Sequence, residues 1–304
     1  MHPVEAGKRI ALNNILFATD FSPCSNAALP YALSVARRYG ATLHGAHVMP
    51  DEADLLFMPP GNWPAVLEEE DKRIQGYIDQ LEKQFQGLPH DVLMSRGQVA
   101  DVLAQIIEER EIDLLVLGTH GRSGVRKLFL GSVAEEIFRR ATCPVLSVGP
   151  HVPCQPHGEI QFQHIVFATD FSEDSLAALP YAVSLAEEDQ AQLAVLHVVE
   201  QPAAGIADLE EVKASLMRRL KELVPAEAEP WCHAECLLEF GRSFAPPAER
   251  ILEVAGDQAA DLLVLGARPV HGRLGLGTHM ASTTAQLLTQ AACPVLTVRG
   301  GQTK

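Results

Sequence analysis

The segment Asn14-Ile15-Leu16-Phe17-Ala18-Thr19-Asp20-Phe21-Ser22-Pro23 starts as an apolar run, breaks at a polar tip and restarts with a helix signal. Ser22 stands as an N-cap with Pro23 at the first helical position, and Gly40 is the C-terminal stop of the amphipathic stretch that follows. This reads as strand, turn, helix. The same words return further on: Phe17 to Ser22 as Phe167 to Ser172, Ala28 to Ala32 as Ala178 to Ala182, and His47-Val48 as His197-Val198. Asp113 to Gly118 returns as Asp261 to Gly266, and Cys143 to Leu146 as Cys293 to Leu296. One order of words at an almost constant offset means a duplicated unit of about 150 residues, too long for a solenoid repeat. Each copy should have its own core.

Outward from that segment, Thr42 to Val48, Asp91 to Ser95, Asp113 to Gly118 and Pro144 to Val148 read as further strands. Pro64 to Gln86, Val99 to Arg110 and Ser132 to Ala141 read as helices between them, and Pro30 and Pro180 should kink the first helix of each copy. Apolar strands alternating with helices predict an α/β fold: two tandem, doubly wound, five-stranded parallel sheets covered on both faces. Gly149 to Gly158 holds three prolines and two glycines and reads as a linker. The expected domains are 1–149 and 160–304, with 150–159 between them.

The chain has 304 residues, 47% of them apolar and 21% charged, which suits two globular domains. No apolar run approaches a membrane span, and Met1 to Asn14 lacks the apolar stretch of a secretory signal. A cytoplasmic protein is expected. With 24 Lys+Arg against 39 Asp+Glu, the formal charge is −15, so there is no basic face for nucleic acid or an anionic membrane. The six cysteines are too scattered for a disulfide framework, and Cys232-His233-x-x-Cys236 lacks a second ligand pair.

Chemistry is concentrated after the fourth strand. Gly118-Thr119-His120-Gly121 is followed, nine residues later, by Gly131-Ser132 at the start of a helix. Gly118 and Gly121 suit tight turning and close approach to a ligand, while Gly131, Ser132 and Val133 would offer backbone N–H groups at a helix N-terminus to phosphate oxygens. Arg122, Arg126 and Lys127 make the loop locally basic, and the Ser132 hydroxyl suits a donor role or a phosphate-bound Mg²⁺. The same glycines also suit plain turns and caps. No G-x-x-x-x-G-K-[ST] loop is present.

The words Ala18-Thr19-Asp20, His47-Val48, Leu117 to Gly124, Leu130 to Ala134 and Cys143 to Leu146 make the first repeat resemble a universal stress protein domain of the ATP-binding branch. The whole chain is similar to a tandem member of that family. The resemblance implies a Rossmann-like fold of adenine-nucleotide α-hydrolase type, with ATP and Mg²⁺ as ligands. It places Ala18, Thr19 and Asp20 at the nucleoside, Asp20 also near ribose or metal, and Val48 at the adenine edge. Leu117 would pack on the nucleoside, while Gly118, Gly121, Arg122, Gly131, Ser132 and Val133 would hold the triphosphate. Asp20 equally suits capping of the Ser22 turn, Val48 suits core packing whatever the function, and His47 a satisfied core histidine.

The second repeat departs from this pattern: Pro269 stands where the second glycine belongs and Ala281 replaces the third, in the more acidic half of the chain. Proline removes an N–H, and a methyl crowds the approach of a phosphate. The first domain is therefore expected to bind nucleotide and the second to serve as a structural partner or to hold another ligand. A non-enzymatic, nucleotide-dependent stress regulator with an unidentified protein partner is the leading reading; a slow ATPase or self-phosphorylating enzyme and a nucleotide-free scaffold are the alternatives. The short edge strands at Pro144 to Val148 and Pro294 to Val298 should pair within the chain as a pseudo-dimer, with a further homodimer also expected. Asp51 to Trp63 reads as an apolar loop, either lid or packing.

Overall fold

Ile15, Leu16 and Phe17 are fully buried in the first strand, β1 (Asn14–Ala18), because the sheet is covered on both faces. The computed structural model describes residues 9–49, 63–119, 130–153, 159–200, 209–224, 234–241, 246–267 and 283–300. After β1 come α1 (Pro23–Tyr39), β2 (Thr42–Met49), α2 (Trp63–Gln84), β3 (His90–Arg96), α3 (Val99–Glu109), β4 (Leu114–Gly118), α4 (Ser132–Arg140) and β5 (Val145–Val148). The second copy supplies β6 (His164–Ala168), α5 (Glu173–Asp189), β7 (Gln192–Val199), α6 (Leu209–Leu223), β8 (Glu235–Phe240), α7 (Pro247–Asp257), β9 (Leu262–Gly266), α8 (Thr283–Gln290) and β10 (Val295–Val298). Of the expected loop from Asp51 to Trp63, residues 51–62 lie outside the described residues and Trp63 opens α2.

Local signals explain the helix ends. Ser22 Oγ accepts the Ser25 N–H at 3.2 Å, and Gly40 (φ 63°) donates its N–H to the carbonyls of Ala36 and Arg37. Ser172 repeats the first cap, but the second helix stops on Gln190 at φ 54°, a left-handed residue with a side chain. Both helices continue through their internal prolines, Pro30 and Pro180.

The strands join in one sheet of order β3-β2-β1-β4-β5-β10-β9-β6-β7-β8. Pairing is parallel within each copy and antiparallel where the copies meet, with Val295 opposite Ser147 and Thr297 opposite Val145. The expected intrachain pairing of the last strands thus places them at the centre of a ten-stranded sheet. Reciprocal hydrogen bonds mark a local pseudo-two-fold axis. Ser147 Oγ donates to the Val295 carbonyl at 3.0 Å and Thr297 Oγ1 to that of Val145 at 3.3 Å. On the α1/α5 face, Ile10 N–H donates to Ser184 Oγ and Ile160 N–H to Ser34 Oγ. One apolar core on that face crosses both copies, and a second lies under α3, α4, α7 and α8.

One contact on this seam breaks the symmetry. Arg38 Nη1 meets Asp189 Oδ2 at 2.5 Å, and both side chains are buried. Arg38 Nη2 also donates to the Ile160 carbonyl, and Phe162 N–H to Asp189 Oδ2. Burial pushes the Asp189 carboxyl above its ordinary value against the pull of Phe162 and Arg38, and its Oδ1 has no hydrogen-bond partner among the described residues. The dyad-related positions hold Glu188 and Tyr39. No described helix is long and apolar enough to cross a membrane.

Candidate functional site: the crevice between the first and fourth strands

In the order β3-β2-β1-β4-β5, crossovers reverse direction between β1 and β4, so α1 and α4 leave the sheet on opposite faces and open a crevice beyond the strand tips. Ala18 lies beside Ala46 on one side and Leu117 on the other, and Val48 lies two residues further along β2, beside Ser95. The structure thereby brings Ala18, Thr19, Asp20, Val48, Leu117 and Gly118 to one end of the sheet.

The β1 tip is held from beneath. Thr19 N–H donates to the Ala46 carbonyl, and the Thr19 carbonyl lies 2.7 Å from His47 Nδ1, so His47 is the satisfied core histidine its position suggested. Thr19 Oγ1 donates to Ser25 Oγ and accepts the Phe21 N–H, and Phe21 is held at φ 59°. The Phe21 ring stacks on Tyr77 of α2, with centroids 3.9 Å apart. Asp20 Oδ1 accepts the Ser22 N–H at 3.0 Å, so the capping role open to Asp20 is realised in the turn. Phe21, Ser25 and Tyr77 were not among the residues expected here. The recurrence of Phe21 and Ser25 as Phe171 and Ser175 was the available signal.

Two of the glycines have local structural roles in addition to whatever ligand they face. A Cβ on Gly118 would lie 2.8 Å from Cys24 and Ser25 backbone atoms, so this glycine lets β4 approach the first turn of α1, whatever ligand it faces. Gly131 is the N-cap of α4, and its N–H reaches the Thr119 carbonyl at 3.4 Å, so it is not a free donor. Thr119 is itself fixed by its N–H to the Val148 carbonyl. Ser132 and Val133 follow as the first helical residues, whose amides have no intrahelical acceptor, and Val133 is 46% exposed. His120, Gly121, Arg122, Arg126 and Lys127 lie outside the described residues, as does the Ser132 side chain.

The second copy repeats the turn closely. Thr169 meets Ser175, Phe171 N–H donates to Thr169 Oγ1, Ser172 N–H donates to Asp170, and His197 meets the Thr169 carbonyl. The differences are in charge. The first turn of α1 has no acidic residue, whereas that of α5 has Glu173 and Asp174. Asp174 stands where the first copy has Cys24, pressed against Gly266, and its Oδ1 accepts the Gly300 N–H at 2.7 Å. Arg219 lies over the Phe171 ring at 4.1 Å, where the first copy stacks Tyr77. Pro269 and Ala281 lie outside the described residues.

Among the described residues, no three His, Cys, Asp or Glu side chains converge as a metal site. One carboxylate, Asp20, at the lip of the crevice fits a Mg²⁺ held mainly by phosphates and water. The glycine cap and the first amides of α4 fit a phosphate chain.

A doubly wound sheet with a crevice at its switch point places the chain among the α/β proteins of Rossmann-like architecture. The sequence profile of the universal stress protein family matches residues 12–149 and again 161–299, and the chain belongs to that family as a tandem member. It is similar to a universal stress protein of Methanocaldococcus jannaschii, 30% identical over 138 residues, covering 44% of this chain and 80% of that protein. It is also similar to a universal stress protein of Mycobacterium tuberculosis, 25% identical over 319 residues and covering 94% of each chain. The crystal structure of a universal stress protein from Archaeoglobus fulgidus shares the fold, with a TM-score of 0.69 at 18% identity, covering 96% of this chain and all of that one.

Proposed function

We propose that the first half binds one Mg²⁺-ATP in the crevice between β1 and β4, and that the chain is a nucleotide-dependent, non-enzymatic regulator in the stress response. The carrying observation is the pairing of a glycine-capped helix start, fixed to the β4 tip through Gly131 and Thr119, with an α1 first turn free of acidic residues. On this reading the Ser132 and Val133 amides, Gly121 and Arg122 take the triphosphate. Ala18, Thr19, Val48 and Leu117 border the nucleoside, and Asp20 and the Ser132 hydroxyl face the metal. Bound Mg²⁺ would screen phosphate charge; the chain's own groups supply position. His47 Nδ1 lies 2.7 Å from the Thr19 carbonyl and so helps to hold the β1 tip. In the second half, Asp174 brings a carboxylate to the corresponding strand tip, which supports reading that half as a structural partner.

The test is mass spectrometry of small molecules released from the denatured protein, followed by calorimetric titration with ATP. One nucleotide per chain is expected, lost in Gly131→Val, where a branched side chain would press on the Thr119 carbonyl 3.2 Å from its Cβ. Asp20→Asn keeps an acceptor for the Ser22 N–H, so stability should change by less than about 0.5 kcal/mol while the Mg²⁺ dependence of ATP affinity falls. Two nucleotides per chain, or affinity indifferent to Gly131→Val, would refute the assignment. Single-turnover hydrolysis abolished by Asp20→Ala would favour an enzyme instead. A further homodimer would have to use a face other than the β5–β10 seam, and sedimentation would reveal it.

A further inference from the structure

Arg299 belongs to the second copy but reaches across the pseudo-dyad to the first. Its Nη1 donates to the carbonyls of Arg139 (2.9 Å) and Ala141 (3.4 Å), and its Nη2 to that of Phe138. These are carbonyls of the last turn and C-cap of α4, where the helix's own N–H donors run out. The neighbouring Gly300 N–H is tied to Asp174 Oδ1, so the arginine is anchored on the first turn of α5. Partial burial pushes the Arg299 guanidinium below its ordinary value, and the Asp174 carboxylate partly offsets this by favouring the charged form. The dyad-related position is Gly149, where an added Cβ would lie 3.0 Å from the Leu288 carbonyl of α8. One helix of the pair is therefore clasped by a guanidinium from the other copy, and its mate faces a bare glycine.

The clasped helix is the one whose N-terminus faces the crevice. We infer that Arg299 is a positioning residue: through it the second half fixes the C-terminal end of α4 and so sets the other end of that helix for an anionic ligand in the first half. The inference rests on the nucleotide reading above. A helix of nine residues moves as one rigid piece, so restraint at its last turn is felt at its first. A cation on the last carbonyls also complements the helix dipole.

The test uses the full chain with Arg299→Ala and Arg299→Lys, titrated with Mg²⁺-ATP and, separately, with adenosine. Arg299→Ala should weaken ATP about fivefold, the low end of the coupling usual between two sites, and leave adenosine unchanged. The lysine variant should recover part of the loss. Hydrogen exchange should speed up across Ser132–Arg140 while Thr283–Gln290 stays at its wild-type rate. Equal weakening of ATP and adenosine, or unchanged exchange in α4, would overturn the assignment. If wild-type protein binds neither ligand, the nucleotide reading fails, and faster exchange confined to α4 would still establish the clasp.

Discussion

Gly118 and Gly266 stand where β4 and β9 run into the first turns of α1 and α5. An added methyl would meet backbone at 2.8 Å in the first copy and at 2.3–2.4 Å in the second. Backbone cannot step aside as a flexible side chain can, so Gly118→Ala should cost about 1–3 kcal/mol and Gly266→Ala more, read as a lower urea midpoint. This contact was hidden in the sequence because Cys24 and Ser25 are remote along the chain from Gly118, whereas the polar words Thr19-Asp20 and their recurrence stood in plain view. The tie between the Gly131 amide and the Thr119 carbonyl was equally hidden: spacing shows that a helix starts there, not which donor is already taken.

Elements were more legible than contacts, since their ends depend on neighbouring residues. Ser22, Pro23 and Gly40 delimit α1 by short-range rules, and observed strand ends differ from the expected ones by at most one residue. The second copy lost two of these signals, with Glu173 for Pro23 and Gln190 for Gly40, and its helix still starts and stops in the same places. Gln190 adopts φ 54° where Gly40 adopts 63°, so Gln190→Gly should raise stability by about 0.5 kcal/mol, the left-handed strain relieved less the added chain entropy. Thermal melting would register the gain.

Between α2 and β3, His90 Nδ1 lies 2.7 Å from the Leu88 carbonyl and Nε2 lies 2.9 Å from Glu82 Oε2. The Leu88 carbonyl, and then the Glu82 carboxylate, raise the imidazole pKa above 6.5. Its contribution to stability is therefore complete below the unfolded value and disappears as pH rises through the higher folded one. The urea midpoints of wild type and His90→Gln should differ most near about pH 5 and converge by about pH 9.

At the level of the molecule, pairing of the two last strands was foreseeable, because short apolar strands at a parallel sheet's margin need a neighbour. The charges at the seam were not, since Arg38 and Asp189 have no matching words in the other copy. Arg38→Met would strand a buried carboxylate, at a cost of about 3 kcal/mol near neutral pH. That cost should shrink on acidification. With its folded pKa raised further, Asp189 takes up a proton more readily in the folded chain, and the penalty returns as pH climbs through that value. Chemical unfolding at several pH values would follow it.

The Arg38–Asp189 contact also has an evolutionary reading. When two separate, identical chains meet across a dyad, any replacement arises on both sides at once, so neither side can specialise alone. Fusion into one polypeptide removes that constraint. Here one copy carries Arg38-Tyr39 and the other Glu188-Asp189, and two C-terminal copies brought together along this face would set acid against acid. Gene fusion thus left the halves free to drift apart in role while making each a poor substitute for the other.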